Sequence, residues 1–88
     1  MGLGANLALA MLDLSEDGAA LLLKEPLQNG EEVQLEFSRA ARYWHCCIPA
    51  EAVWCILAAD DNYCAGLRFS RRLAYRDVQE MVETPIMR

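Results

Sequence analysis

Positive charge is the scarcest resource in this chain of 88 residues: Lys24 and seven arginines stand against thirteen acids, for a net charge of −5 at pH 7. Binding to nucleic acid gains its strength from counterion release onto a basic footprint, so neither DNA nor RNA is an expected partner. The first 36 residues hold seven acids and the single lysine, and no arginine precedes Arg39. Arg68, Arg71, Arg72 and Arg76 form the one basic cluster, which suits a small anion at most. Long apolar runs are missing too. Met1 to Leu12 falls short of the ~20 residues a membrane helix needs, lacks the positive start of a secretory signal, and carries Asn6 where myristoylation after Gly2 calls for Ser or Thr. No membrane insertion and a cytoplasmic location are therefore expected. With no export signal, Cys46, Cys47, Cys55 and Cys64 are expected as reduced thiols. Repeats and low-complexity segments are absent.

What is present fits one globular domain over residues 1–88: 55% of the residues are hydrophobic and 24% charged. A chain of this length buries somewhat more than ~60% of its unfolded surface. Period-two patterns dominate. Leu7 to Leu12 is a weakly two-sided apolar strand that runs into Asp13. Ala19 to Leu23 is a second strand, apolar on both faces and so expected to be covered. Pro26 and Asn29-Gly30 mark a loop and turn. Glu31 to Phe37 then alternates cleanly, with Val33, Leu35 and Phe37 inward and Glu32, Gln34 and Glu36 outward. A long extended segment runs from Tyr43 to Ala58, with a bend or bulge expected at Pro49-Ala50. Beyond it, Val53, Cys55 and Leu57 are expected on one face, Trp54 and Ile56 on the other. Ala59 to Asn62 is turn chemistry, and Tyr63 to Phe69 returns as a partner strand in which Gly66 leaves room for a neighbour. From Ser70, a plausible N-cap, Leu73, Ala74, Val78, Met81 and Val82 recur at helical spacing until Thr84-Pro85. The expectation is a mostly β fold: a small antiparallel barrel of five to six strands over about 5–69, with one C-terminal α-helix over about 71–83.

Several side-chain groups invite chemistry that a plainer explanation covers. His45 and the four cysteines suggest zinc, yet the adjacent Cys46 and Cys47 point to opposite faces of a strand, and cysteine is commonly buried as a small hydrophobe. His45 is the only histidine, with no evident nucleophile and orienting group beside it. Asp60 and Asp61 fit turn propensity. Trp44 and Trp54 are read as core or barrel-surface packing. No catalytic residue, no metal and no resident cofactor are expected, and no enzymatic activity.

The stretch Leu12-Asp13-Leu14-Ser15-Glu16-Asp17-Gly18 stands apart. Asp17-Gly18 between two apolar runs is a hairpin signal resting on glycine's access to positive φ. Residues two apart on a strand share a face, so the Asp13 carboxylate and the Ser15 hydroxyl can approach one ligand together. With this corner in place, the succession that follows, Pro26-Leu27-x-x-Gly30-x-x-Val33-x-Leu35, then Ala50-x-Ala52-Val53-Trp54, then Gly66-Leu67-Arg68-Phe69 and a terminal helix, resembles the PilZ domain over roughly residues 5–82. That resemblance implies a six-stranded β-barrel and a bacterial second-messenger receptor for cyclic di-GMP, with Asp13, Ser15 and Gly18 matching the family's Asp-x-Ser-x-x-Gly ligand motif.

The family's second motif, an Arg-x-x-x-Arg loop ahead of the first strand, has no counterpart among the twelve residues before Asp13. Arginine forks are what bind phosphate bidentately and guanine O6 and N7, so weak or absent nucleotide binding is expected of these 88 residues. Two situations fit: the loop lies upstream of Met1 in a longer protein, or the domain has diverged into a protein–protein interaction module with an unknown partner, a second copy of itself included. Arg68-x-x-x-Arg72 and Arg72-x-x-x-Arg76 have the right spacing at the opposite end of the chain. Arg68 closes a strand there, and a solvated helix face accounts for Arg72 and Arg76; a substitute phosphate clamp is the rival explanation.

Overall fold

The computed structural model describes residues 7–39, 44–80 and 84–87. Six strands form one antiparallel sheet: β1 (Ala8–Leu14), β2 (Gly18–Leu23), β3 (Glu32–Arg39), β4 (Trp44–Leu57), β5 (Tyr63–Phe69) and β6 (Ile86–Met87). A short helix, α1 (Tyr75–Glu80), lies between β5 and β6. The order across the sheet is β1-β2-β5-β4-β3-β6, so β1 and β6 are its edges. The expected small antiparallel barrel is borne out as a curled half-barrel.

Alternation sorts the two faces of the sheet. Ala19, Leu21 and Leu23 of β2, Val33, Leu35 and Phe37 of β3, Ile48, Ala50 and Ala52 of β4, and Ala65, Leu67 and Phe69 of β5 all turn inward and are buried. Phe37 and Phe69 meet edge to face, with ring centroids 6.3 Å apart at 86°, an arrangement that suits the aromatic quadrupole. Leu73 and Met87 are also buried in this core, and Val78 of α1 packs against it. Because the half-barrel closes over only one face, the opposite residues of β2 are left half-buried: Ala20 and Leu22 are less covered than a strand apolar on both faces suggests.

The turns bear out their sequence signals. Gly30 takes φ +87°, and Glu31 N–H donates to the Gln28 carbonyl at 3.0 Å to close that turn. Asp60 and Asp61 both have positive φ, 59° and 62°, a conformation that short polar side chains tolerate better than most. Gly18, by contrast, has no positive φ, since Gly30 alone shows one among the described glycines. Its hairpin is instead closed by Ser15 N–H donating to the Gly18 carbonyl at 2.9 Å.

Three expectations need correction. β4 runs unbroken through Pro49, and its register shift falls between Ala52 and Trp54. Proline is tolerated at 49 because its backbone faces the side where β5 has just ended: the Pro49 carbonyl accepts from Ser70 N–H at 2.9 Å, one residue past the Ala50–Phe69 pair, and no ladder donor is needed there. The extra residue at Val53 inverts the alternation, so Val53 and Trp54 are both exposed while Cys55 packs against the core; Leu57 is exposed as well. The helix starts at Tyr75 rather than 71. Ser70 N–H is taken by Pro49 and Leu73 N–H by the Glu16 carbonyl, so this stretch is tied to other strands, and the first helical bonds go from Asp77 and Val78 to Ala74. Arg72 therefore precedes the helix. The short strand β6, paired through Leu35–Met87 and Glu36–Ile86, was not anticipated. Residues 5–6, Tyr43, the helical positions Met81 and Val82, and the side chains of Trp44 and His45 lie outside the described residues.

Leu35 is fully enclosed between β4 and β6. Leu35→Ala should lower the free energy of unfolding by about 2–5 kcal/mol, read as the midpoint shift of a urea melt with an unchanged slope.

Candidate functional site

Asp13 sits near the end of β1 and pairs with Ala20 of β2 across the first hairpin. Its carboxylate is exposed, with Oδ1 accepting from Leu14 N–H at 3.0 Å. Ser15 follows β1 and builds the turn. Its Oγ accepts from Gly18 N–H at 3.2 Å and from Asp17 N–H at 3.3 Å, and lies 3.3 Å from the Gly18 carbonyl oxygen, to which it can donate. A hydroxyl has one proton and two lone pairs, so the turn occupies its whole capacity. The corner owes its shape to Ser15 as much as to glycine.

Gly18 is required for a different reason from the one its Asp-Gly context suggests. It lies opposite Arg68 in the β2–β5 ladder, and a Cβ on it would overlap the Leu67 carbonyl. Gly66 is the second such position. It pairs with Ala20 on one side and Trp54 on the other, and the Trp54 indole occupies the space a Cβ on Gly66 would need. The neighbour for which Gly66 leaves room is thus this tryptophan.

These pairings draw a row across the outer face: Asp13, Ala20, Gly66, Trp54. Three strand spacings make it about 14 Å long. A groove of about 210 Å³ follows it, with Asp13 and Ser15 at one wall, Val53 and Trp54 at the other, and Ala20 and Gly66 in the floor. The small Ala20 gives it depth, while the indole covers Gly66; the bulge at Val53 puts two side chains in the far wall. Asp13, Ser15 and Gly18 are accordingly brought together on one groove. Trp54, read from sequence as packing, is a surface residue of that same groove. Its signal was Gly66 across the strand, but the register that joins the two positions was not legible.

The next row along the sheet is Gly18, Arg68, Glu51. Arg68 Nη2 lies 3.3 Å from Glu51 Oε1, and both side chains are well exposed. Beside them a second cleft of about 300 Å³ is lined by Glu32, Glu51, Arg68 and Ser70, among others. On the other side of the corner, Arg72 Nη2 is 2.8 Å from Glu16 Oε1 and Nη1 is 3.8 Å from Asp17 Oδ1. The hydrogen bond to Glu16, then its charge and that of Asp17, hold the Arg72 pKa above its ordinary value. Backbone bonds reinforce the same junction: Phe69 N–H donates to the Asp17 carbonyl and Leu73 N–H to the Glu16 carbonyl, each at 2.8 Å. Elsewhere on β4, Cys46 packs towards the core and Cys47 is exposed, so the two thiols point apart as expected of strand neighbours.

This arrangement, a strand ending in Asp-x-Ser-x-x-Gly on a small curled antiparallel sheet, has a match at the level of sequence families: the PilZ domain model aligns with residues 3–83. The chain belongs to the PilZ domain family. No curated protein and no solved structure matches it. PilZ domains are regulatory receptor domains rather than enzymes, and they generally bind cyclic di-GMP. Among the described residues of this PilZ domain, no helix is long and apolar enough to cross a membrane.

The seat of Trp54 gives a direct check of the groove's construction. Gly66→Ala should displace the indole and lower stability by about 1–3 kcal/mol, the usual cost of overpacking. In the Trp54→Phe background, with a smaller ring on the same seat, the penalty measured in paired urea melts should shrink.

Proposed function

We propose that this PilZ domain is a regulatory module whose ligand, cyclic di-GMP, enters the outer-face groove and is held weakly. One observation carries the reading: the exposed Asp13 carboxylate, the Ser15 turn and the exposed Trp54 ring all border one groove floored by Ala20 and Gly66. A carboxylate accepts from guanine N1–H and N2–H, which assigns the base edge to Asp13. An indole face offers stacking to a base at the other end. Weakness follows from charge. The ligand carries two phosphates, the corner carries Asp13, Glu16 and Asp17, and no arginine precedes Arg39 in this sequence.

The corner also supplies a route for output. The carbonyls of Glu16 and Asp17 hold Leu73 and Phe69, so a ligand that reorders Ser15–Gly18 acts on the segment leading into α1. A bacterial, cytoplasmic setting accompanies this reading, because that is where the second messenger is found.

A second reading is favoured by a different observation: Leu12 on the edge strand and Ile56 and Leu57 at the far end of β4 are all more than half exposed. Apolar side chains of that size on a sheet edge and sheet end suit protein contact, which would make this a divergent PilZ domain acting through a partner without nucleotide.

Calorimetric titration of the 88-residue chain with cyclic di-GMP separates these. The first reading expects weak heats, with affinity poorer than micromolar, abolished by Asp13→Ala. Micromolar or tighter affinity would contradict the account of the charge balance. Heats no larger than dilution at millimolar ligand would favour the interaction module.

A further inference from the structure

The cation shortage at the groove has a remedy within the fold, and it lies in side chains that are currently occupied. Arg68 stands opposite Gly18 on the outer face, two residues or about 7 Å along β5 from the groove floor at Gly66. An arginine side chain is long enough to cover that distance. Arg72 reaches the same corner from the opposite side, on the two acids that immediately follow Ser15. Strand β5 and the bend after it thus bracket the Ser15–Gly18 turn with two guanidinium groups. Both are about two-thirds exposed, and both are paired to carboxylates that keep part of their surface in water, Glu51 more than Glu16. Ion pairs of this kind contribute little to stability because water and salt compete with them. A phosphate, which a guanidinium grips in a two-point fork, can therefore displace such a partner, at a cost in affinity set by the pair it breaks.

We propose that Arg68 and Arg72 form the phosphate-binding side of the groove, and that Glu51 and Glu16 hold them as internal competitors for the ligand's phosphodiesters. This rests on the reading of the groove as a cyclic dinucleotide site and assigns residues to its anion side. Glu51 and Glu16 act as intramolecular mimics of the phosphates. The ligand has to displace them, and binding is weak for that reason in addition to the absence of an arginine before Arg39. Glu51 faces Glu32 across the ladder, a like-charge neighbour that favours keeping Arg68 beside it in the empty state.

The proposal makes an uncommon demand: removing side chains that form ion pairs should strengthen binding. The test is titration of isotope-labelled protein with cyclic di-GMP, followed through the Ala20 and Gly66 amide resonances, which register even millimolar affinity. Glu51→Gln and Glu16→Gln should each tighten binding several-fold. Arg68→Ala and Arg72→Ala should each weaken it at least fivefold, with Arg68→Lys intermediate because an ammonium keeps the charge but loses the fork. The gain from Glu51→Gln should vanish when Arg68 is also alanine, the coupling expected of a contacting pair. Glu25→Gln is the control for net charge. It removes the same charge just beyond the far end of β2, about 20 Å away and past the screening length, and should change nothing. If the arginine variants bind like the parent while Asp13→Ala does not bind, the assignment of the phosphate side is wrong and the groove reading stands. If Glu25→Gln tightens binding as much as Glu51→Gln, only overall charge is at work and the assignment fails. If no variant and no parent shifts either amide, both the assignment and the groove reading fall.

Discussion

The contact on which this structure depends is the close approach of two backbones at Gly18. The Leu67 carbonyl fills the position a Cβ on that residue would take, so strands β2 and β5 pair in this register only with glycine there. The pairing fixes everything around it. It sets Ala20 beside Gly66, which makes the groove floor. It brings the Asp17 carbonyl to Phe69 N–H and the Glu16 carbonyl to Leu73 N–H. Through those two bonds the turn that carries Ser15 becomes the support for the bend that leads into α1. A single steric constraint thus joins the candidate binding surface to the C-terminal segment.

Charge distribution around that joint is the second determinant. The Ser15–Gly18 turn carries Glu16 and Asp17, and the strand row beyond it carries Glu51 and Glu32. Each arginine that could relieve this field is matched to one of these acids, Arg68 to Glu51 and Arg72 to Glu16. Both arginines are well exposed and neither acid is buried, so each contact is labile. A labile neutralisation gives a surface that tolerates being empty and still has cations to offer an incoming anion. That property suits a reversible receptor better than a rigid preformed cage would, since the acids compensate the arginines whenever ligand is absent.

Much of the fold was legible because its signals are local. The Glu32–Phe37 alternation, the Asn29-Gly30 turn and the Asp60-Asp61 turn each follow from a few neighbouring residues. Asp13 and Ser15 do border one groove, but not as strand neighbours: Ser15 lies beyond β1 with its hydroxyl taken up by the turn. What escaped depended on partners distant in sequence. Pro49-Ala50 suggests a bend or bulge, yet the missing N–H of Pro49 falls where β5 has already ended, and the register shift lies at Val53 instead. Val53 gave no local sign of a bulge, and without the bulge Trp54 could not be placed in the groove wall. The helical spacing of Ala74 and Val78 makes Leu73 look like part of the same helix, whereas its N–H is bound to the Glu16 carbonyl, far away in the chain. Arg72 therefore belongs to the corner and not to the helix face that the spacing suggests. Gly18 is needed for the close approach of the Leu67 carbonyl and not for a positive φ.

The central claim is that the Ser15–Gly18 corner couples the groove to the segment before α1. Amide hydrogen exchange at Phe69 and Leu73, measured with and without saturating cyclic di-GMP, tests it. Both amides donate to carbonyls of the corner, so their protection reports the stability of that junction residue by residue. The account predicts that ligand slows exchange at both positions together with the Gly18 amide. Slower exchange at Gly18 alone, with Phe69 and Leu73 unchanged, would contradict it.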